Sequence, residues 1–141
     1  MIQSNLIRLF EDSIRMNWDR PAMSDYGHAR VYTYGDVAER IEKIHLILRQ
    51  AGIEKNDRVA LIGKNSCNWA MTYVATVTYG AIVVPILQDF KPGDVTHIVN
   101  HSESKLIFAG DPLWEQLDIH AMKGLMAAIS VNDFSVLAVQ T

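Results

Sequence analysis

Between Val37 and Ala51 the apolar residues Val37, Ile41, Ile44, Leu48 and Ala51 recur at i, i+4, i+7, i+11 and i+14. That spacing draws one continuous stripe along a helix. Thr33 stands at the N-cap position, and Asp36 completes a variant of the capping box. Asp36 and Glu39 lie near the positive end of the helix dipole and Arg49 near the negative end. Gly52 sits where a left-handed residue closes a helix. A second helical repeat, Leu6, Phe10 and Ile14, predicts a first helix over Ser4 to Asn17, with Pro21 closing that region. Ala22–Asp25 and Arg30–Thr33 are short strand-like pieces around Tyr26-Gly27-His28, a hairpin turn.

The pattern then changes. After an Asn56-Asp57 turn, Val59-Ala60-Leu61-Ile62 shows no polar alternation, as expected for a strand covered on both faces of a parallel sheet. Ile82-Val83-Val84 and Leu106-Ile107-Phe108-Ala109 read the same way, and Pro85 is expected to end the first of them. A helix opening at Asn65-Ser66 and closing at Tyr79-Gly80 separates the first two runs. Pro92, suited to a first helical turn, begins a second helix with Val95, Ile98 and Val99 as its apolar face. Asp111-Pro112 opens a further helical turn through Leu117, and Met126–Val131 and Val136–Val139 are strand-like. Strand and helix alternate with short connections, which predicts an α/β fold with a mostly parallel sheet and right-handed crossovers. No internal repeat or flexible linker divides residues 1–141, so one domain is expected.

Composition narrows the functions. About half of the residues are hydrophobic (49%) and 21% are charged, which excludes a disordered chain. The net charge of −3 and a pI near 5.9, with no basic stripe, argue against binding nucleic acid or an anionic membrane. No apolar run approaches the length of a bilayer span, and MIQSNLIRLFEDSI lacks the layout of a signal peptide. A single cysteine, Cys67, builds no internal disulfide. A cytoplasmic protein is expected.

The candidate chemistry has a bland alternative at each position. Gly63-Lys64-Asn65-Ser66 lies between strand and helix, where phosphates bind. A Walker loop, however, requires Gly where this chain has Arg58, and Ser or Thr where it has Asn65. Asn65 and Ser66 are better read as helix caps. Asp94, His97 and His101 fall at i, i+3 and i+7 on one helical face, but the glutamate of an HExxH motif is replaced by Ile98, so a solvated polar face is expected. Cys67 opens a helix, whose dipole lowers a thiol pKa, yet no base accompanies it and a lone cysteine is more often a small buried hydrophobe. Trp69, Tyr73 and Tyr79 read as core or rim aromatics. The carboxylates Glu11, Asp12, Asp36 and Glu39 read as surface helix acids.

Three segments carry a resemblance. Tyr32-Thr33-Tyr34-Gly35-Asp36-Val37 resembles the Leu-Thr-Tyr-x-Glu-Leu opening of AMP-forming acyl-CoA synthetases, with departures at Asp36 and Val37. Asn56-Asp57-Arg58-Val59 resembles the Gly-Asp-Arg-Val that follows it, and Gly80-Ala81-Ile82-Val83-Val84-Pro85 fits Gly-Ala-x-x-Val-Pro. In this order and spacing they make the chain, from Leu6 to Val131, resemble the N-terminal part of the large domain of an adenylate-forming enzyme. The wording is most similar to bacterial long-chain fatty acid–CoA ligases.

The resemblance implies an enzyme that uses ATP, Mg²⁺ and CoA to activate a fatty acid as acyl-adenylate and pass it to CoA. In that family the chemistry lies in a Ser/Thr/Gly-rich loop with a lysine, in acidic residues for magnesium and ribose, and in a lysine of a mobile C-terminal domain. No segment here resembles these, so no residue is assigned as catalytic, cofactor-binding or metal-ligating. The implied picture is an N-terminal piece of a longer ligase, inactive alone, ending abruptly at Gln140-Thr141 and self-associating as a homodimer through apolar surface. The alternative is a self-contained flavodoxin-like α/β binding module without catalysis.

Overall fold

A computed structural model describes residues 2–140; Met1 and Thr141, the two ends of the range read as one domain, lie outside the described residues. The elements run α1 (Ile2–Met16), β1 (Pro21–Ser24), β2 (Val31–Thr33), α2 (Tyr34–Gln50), β3 (Arg58–Ile62), α3 (Cys67–Tyr79) and β4 (Ile82–Ile86). They continue as α4 (Pro92–Ser102), β5 (Leu106–Ala109), α5 (Asp111–Trp114), a 3₁₀ turn (Ile119–Ala121), β6 (Ala127–Ser130) and β7 (Val136–Val139). β1 and β2 form a small antiparallel hairpin, while the remaining strands make a five-stranded sheet in the order β4-β3-β5-β6-β7. Its pairings are parallel except for the last, where β7 runs antiparallel to β6.

The unbroken apolar run of β3 has a direct cause. Val59 and Leu61 enter one core with Leu106 and Phe108 of β5, Ile41, Ile44 and Leu48 of α2, and Met71 and Ala75 of α3. Ala60 and Ile62 point the other way, into a second core with Ile107, Ala109, Val95 and Val99 of α4, Met122 and Leu125. A strand with helices on both faces has no solvent side on which to put polar residues.

α2 follows its stripe. Val37, Ile41, Ile44 and Leu48 are buried, and the Thr33 capping box closes in both directions, with Thr33 N–H donating to Asp36 Oδ2 at 2.9 Å and Asp36 N–H donating to Thr33 Oγ1 at 3.1 Å. The hydrogen bond from Thr33 N–H holds the Asp36 carboxyl below its usual range. At the other end Gly52 adopts φ 79°, and Ile53 N–H and Gly52 N–H reach back to the carbonyls of Leu48 and Arg49. These two bonds are those of a Schellman motif, and the positive φ is what requires glycine here.

Two expectations need correction. β4 runs through Pro85 to Ile86, with Pro85 opposite Leu61, so the proline does not end the strand. It is tolerated because β4 is an edge strand, where a proline nitrogen turned to the open side removes no ladder bond. For the same reason β4 is not covered on both faces: Ile82 is exposed and Val83 and Val84 are half-buried. In α1 the inward stripe is Ile7, Phe10 and Ile14 rather than one beginning at Leu6, which is exposed. The regular helix of α5 is also shorter than expected, with Leu117 held by an N–H bond to Trp114.

Ile44 is fully buried whereas Glu42, on the same helix, is exposed. Ile44→Asp therefore loses roughly 3–5 kcal/mol by burying an unpaired charge. Glu42→Ala stays within about 0.5 kcal/mol, as is usual for surface changes. Chemical denaturation of the two variants checks this, and equal midpoints would place the wrong face of α2 against the core.

Candidate functional site: a cleft at the strand ends

The chain leaves β3 through α3 to β4 on one side, then crosses back through α4 to β5 on the other side of β3. α3 packs in the first core and α4 in the second, so the two connections cover opposite faces of the sheet. The carboxyl ends of β3 and β5 thus form a topological switch point, the place where open α/β sheets leave a crevice. Gly63 and Gly110 stand there side by side, with Gly110 N–H donating to Ile62 C=O at 3.0 Å. A Cβ on Gly63 would come within 3.1 Å of Val131 Cγ1, which is why the smallest residue occupies this position.

Above these glycines opens a cleft of about 670 Å³, lined by Lys64, Asn65, Ser66 and Asn68 at the start of α3, by Gln88 after β4, by Asn132 after β6, and by Asp25, Tyr26 and His28 of the β1–β2 hairpin. The cleft has a mixed polar and apolar lining, and four of its polar side chains, Asp25, Ser66, Asn68 and Asn132, bond within the protein. Ser66 is the N-cap of α3 and accepts from Trp69 N–H at 3.1 Å. Asp25 Oδ1 accepts from Cys67 N–H at 2.8 Å. The positive end of α3, where a phosphate would sit, is thus occupied by the protein's own carboxylate.

On the opposite wall Ser130 Oγ donates to Asp111 Oδ1 at 2.5 Å and accepts from Asn132 N–H at 3.0 Å. Asn132 Oδ1 accepts from Asp111 N–H at 2.9 Å, and Asn68 Nδ2 donates to Asn132 C=O, also at 2.9 Å. Ser130, Asp111 and Asn132 therefore tie the ends of β5 and β6 together and link them to α3. None of the three, nor Asp25, stands out in the sequence. The readable signal was the turn-forming pair Asn132-Asp133, whose residue types bond back to nearby main chain.

Of the residues weighed for chemistry in the sequence, the Gly63–Ser66 segment lines or borders this cleft, and the Tyr26-Gly27-His28 turn, read there only as a hairpin, forms part of its wall. Cys67 begins α3 but is 4% exposed, and its thiol pKa is raised, first by burial and then by the Asp25 carboxylate. The expected lowering by the helix dipole is overridden, and the thiol behaves as a small buried hydrophobe. His97 and His101 lie on the exposed face of α4, and among the described residues no three His, Cys, Asp or Glu side chains gather to hold a metal. Trp69 and Tyr73 pair with ring centroids 5.6 Å apart, and Tyr79 Oη donates to Ile53 C=O at 2.6 Å, so these aromatics serve packing. Asp36 is consumed by the capping box, and Asp12 lies 3.9 Å from Arg15 on the exposed side of α1.

A second, apolar groove of about 340 Å³ runs between α1, α2 and α3, bordered by Phe10, Ile14, Trp18 and Ile41. His45 is at its edge, with Nε2 2.9 Å from Ala75 C=O and 3.0 Å from Thr78 Oγ1. Burial holds this imidazole's pKa below the usual histidine value.

The sequence matches the AMP-binding enzyme family over residues 10–138. The chain belongs to that family. Its relatives include the protein YdaB of Bacillus subtilis (strain 168), whose name assigns it provisionally to the acyl–CoA ligases; it is 38% identical over 86 residues, 61% of this chain and 17% of the relative. A medium-chain fatty-acid–CoA ligase of Escherichia coli (strain K12) is 26% identical over 106 residues, covering 75% of this chain and 19% of the ligase. The chain thus spans less than a fifth of either relative. Among solved structures, an anthranilate CoA ligase in complex with anthranoyl-AMP superposes with a TM-score of 0.81 at 18% identity, over 91% of this chain and 25% of that one. A Mycobacterium tuberculosis fatty acyl CoA synthetase superposes with a TM-score of 0.80 at 19% identity, over 96% of this chain and 30% of the synthetase. The fold of this member of the AMP-binding family is therefore that of the N-terminal portion of adenylate-forming enzymes.

The Asp25–Cys67 contact yields a prediction. In the native chain Cys67 reacts with a disulfide reagent at least about a hundredfold more slowly than in the unfolded chain, because reaction needs opening of the α3 start. Asp25→Ala removes the carboxylate that holds the hairpin to α3 and speeds native-state labelling. An unchanged rate in the variant would mean that the hairpin does not guard the thiol.

Proposed function

We propose that this chain forms the N-terminal scaffold of an ATP-dependent, AMP-forming long-chain fatty acid–CoA ligase, an acid–thiol ligase of the cytoplasm. The observation that carries the proposal is the family match across residues 10–138 together with the fold shared with CoA ligases. It favours this reading over a self-contained binding module. The long-chain preference rests on the wording of the Tyr32–Val37 and Gly80–Pro85 segments.

In this proposal the ligase takes a fatty acid, ATP with Mg²⁺, and CoA. The residues present do not fit the triphosphate. Asp25 already fills the start of α3, Lys64 is the cleft's lysine, and the described residues offer no carboxylate cluster for magnesium. Phosphoryl and adenylyl transfer depends on positioned cations and backbone donors. Segments outside this chain supply them, and this chain supplies the sheet on which they are mounted.

The chain alone is therefore expected to show no fatty acid-dependent exchange of pyrophosphate into ATP in protein free of host ligase. Exchange above the buffer control would overturn the scaffold reading.

A second expectation concerns association. β7 is the outer strand of the sheet, and Val136 and Val139 on it are 62% and 69% exposed. An apolar edge strand is a template for pairing with another copy, and a two-fold dimer uses the same edge from both. Light scattering behind size exclusion at tens of micromolar should give a dimer, and Val136→Lys should give a monomer. A clean monomer in the unsubstituted chain would count against β7 as a docking edge.

A further inference from the structure

We propose that His97 and His101 form a two-imidazole chelate for a borderline divalent transition ion, with Zn²⁺ and Cu²⁺ as its natural occupants. The pair is one helical turn apart on α4, both side chains are exposed, and the rings lie nearly parallel, 16° between planes and 5.8 Å between centroids. Residues at i and i+4 share a helix face, so both imidazoles can turn their outer nitrogens to a single point. A tetrahedral ion bound at the usual Zn–N length of about 2.0–2.1 Å would place the two centroids about 5 Å apart. Chelation therefore requires both side chains to rotate out of the observed stacked arrangement until their outer nitrogens converge on the ion.

The helix beneath is fixed. Val95 and Val99, on its opposite face, are each 1% exposed in the second core, Pro92 sets its first turn, and Glu103 closes it in the left-handed conformation. The ligand pair is thus presented by a rigid element. His45 cannot take this part, because its Nε2 is committed to Ala75 and Thr78.

Imidazole suits zinc, copper and nickel, whereas magnesium and calcium take oxygen ligands. With no third protein ligand gathered among the described residues, water completes the coordination sphere. The ion would act as a clip across one turn of α4, binding the folded helix and not the unfolded chain. This site is separate from the strand-end cleft and independent of the ligase assignment.

Isothermal titration and thermal melting of the tag-free full chain with ZnCl₂, CuCl₂ and MgCl₂ test it. Zinc should bind at one equivalent and raise the melting temperature by roughly 4 °C once free metal is about tenfold above its dissociation constant. Copper should bind more tightly than zinc, and magnesium should not bind. His97→Ala and His101→Ala should each weaken zinc binding by about tenfold or more, since each leaves a single ligand. His120→Ala should leave it unchanged, and all three surface variants should keep the circular dichroism of the parent. Equal zinc binding by the parent and the His97→Ala/His101→Ala double variant would overturn the proposal, as would no zinc binding by the parent.

Discussion

Everything in this fold depends on burying β3 from both sides. Val59, Ala60 and Leu61 are wholly shielded from water and Ile62 nearly so, although alternate side chains leave opposite faces of the sheet. That requires helices on both faces, and β3 can only be central if the chain crosses over it. The passage from β4 through α4 to β5 is that crossing. It places α2 and α3 over Leu61 and Phe108, and α4 over Ile62 and Ala109. The same crossing opens the cleft at Gly63 and Gly110, so the core and the candidate site share one cause.

Two parts of the cleft wall are tied together by internal hydrogen bonds. Asp25 takes up the main-chain donor of Cys67 at the start of α3, and Ser130, Asp111 and Asn132 bond to one another across the ends of β5 and β6. Among the described residues no buried side-chain polar atom lacks a partner. A preorganised catalytic site would hold donors toward charge that develops in the reaction. Here the fixed dipole of α3 instead meets an internal carboxylate. That is in keeping with the scaffold role proposed above.

Much of this was legible in the sequence because it was local. The α2 stripe, its Thr33–Asp36 box and the Gly52 stop are set by residues within a few positions of one another, and each formed as read. The all-apolar β3 and β5 announced a sheet covered on both faces. What was not legible was long-range. Whether an apolar run becomes a central or an edge strand depends on strand order, so β4 was read as buried and Pro85 as its end. Asp25 meets Cys67 across 42 positions. Cys67 was read as a small buried hydrophobe, which it is, but the carboxylate that helps burial to raise its thiol pKa could not be read from the sequence. The choice of Ile7 over Leu6 in α1 turned on a rotation that a three-residue repeat cannot fix.

The central claim, that β3 and β5 are the axis on which the rest is built, is tested most directly by native-state hydrogen exchange. Amides of Val59–Ile62 and Leu106–Ala109 should exchange last, only through global unfolding, with a free energy equal to the stability from denaturation. Amides of α1 should exchange well before them through local opening. If β3 exchanged as fast as α1, or opened at a free energy well below global unfolding, the two-sided burial of that strand would not be what holds this fold together.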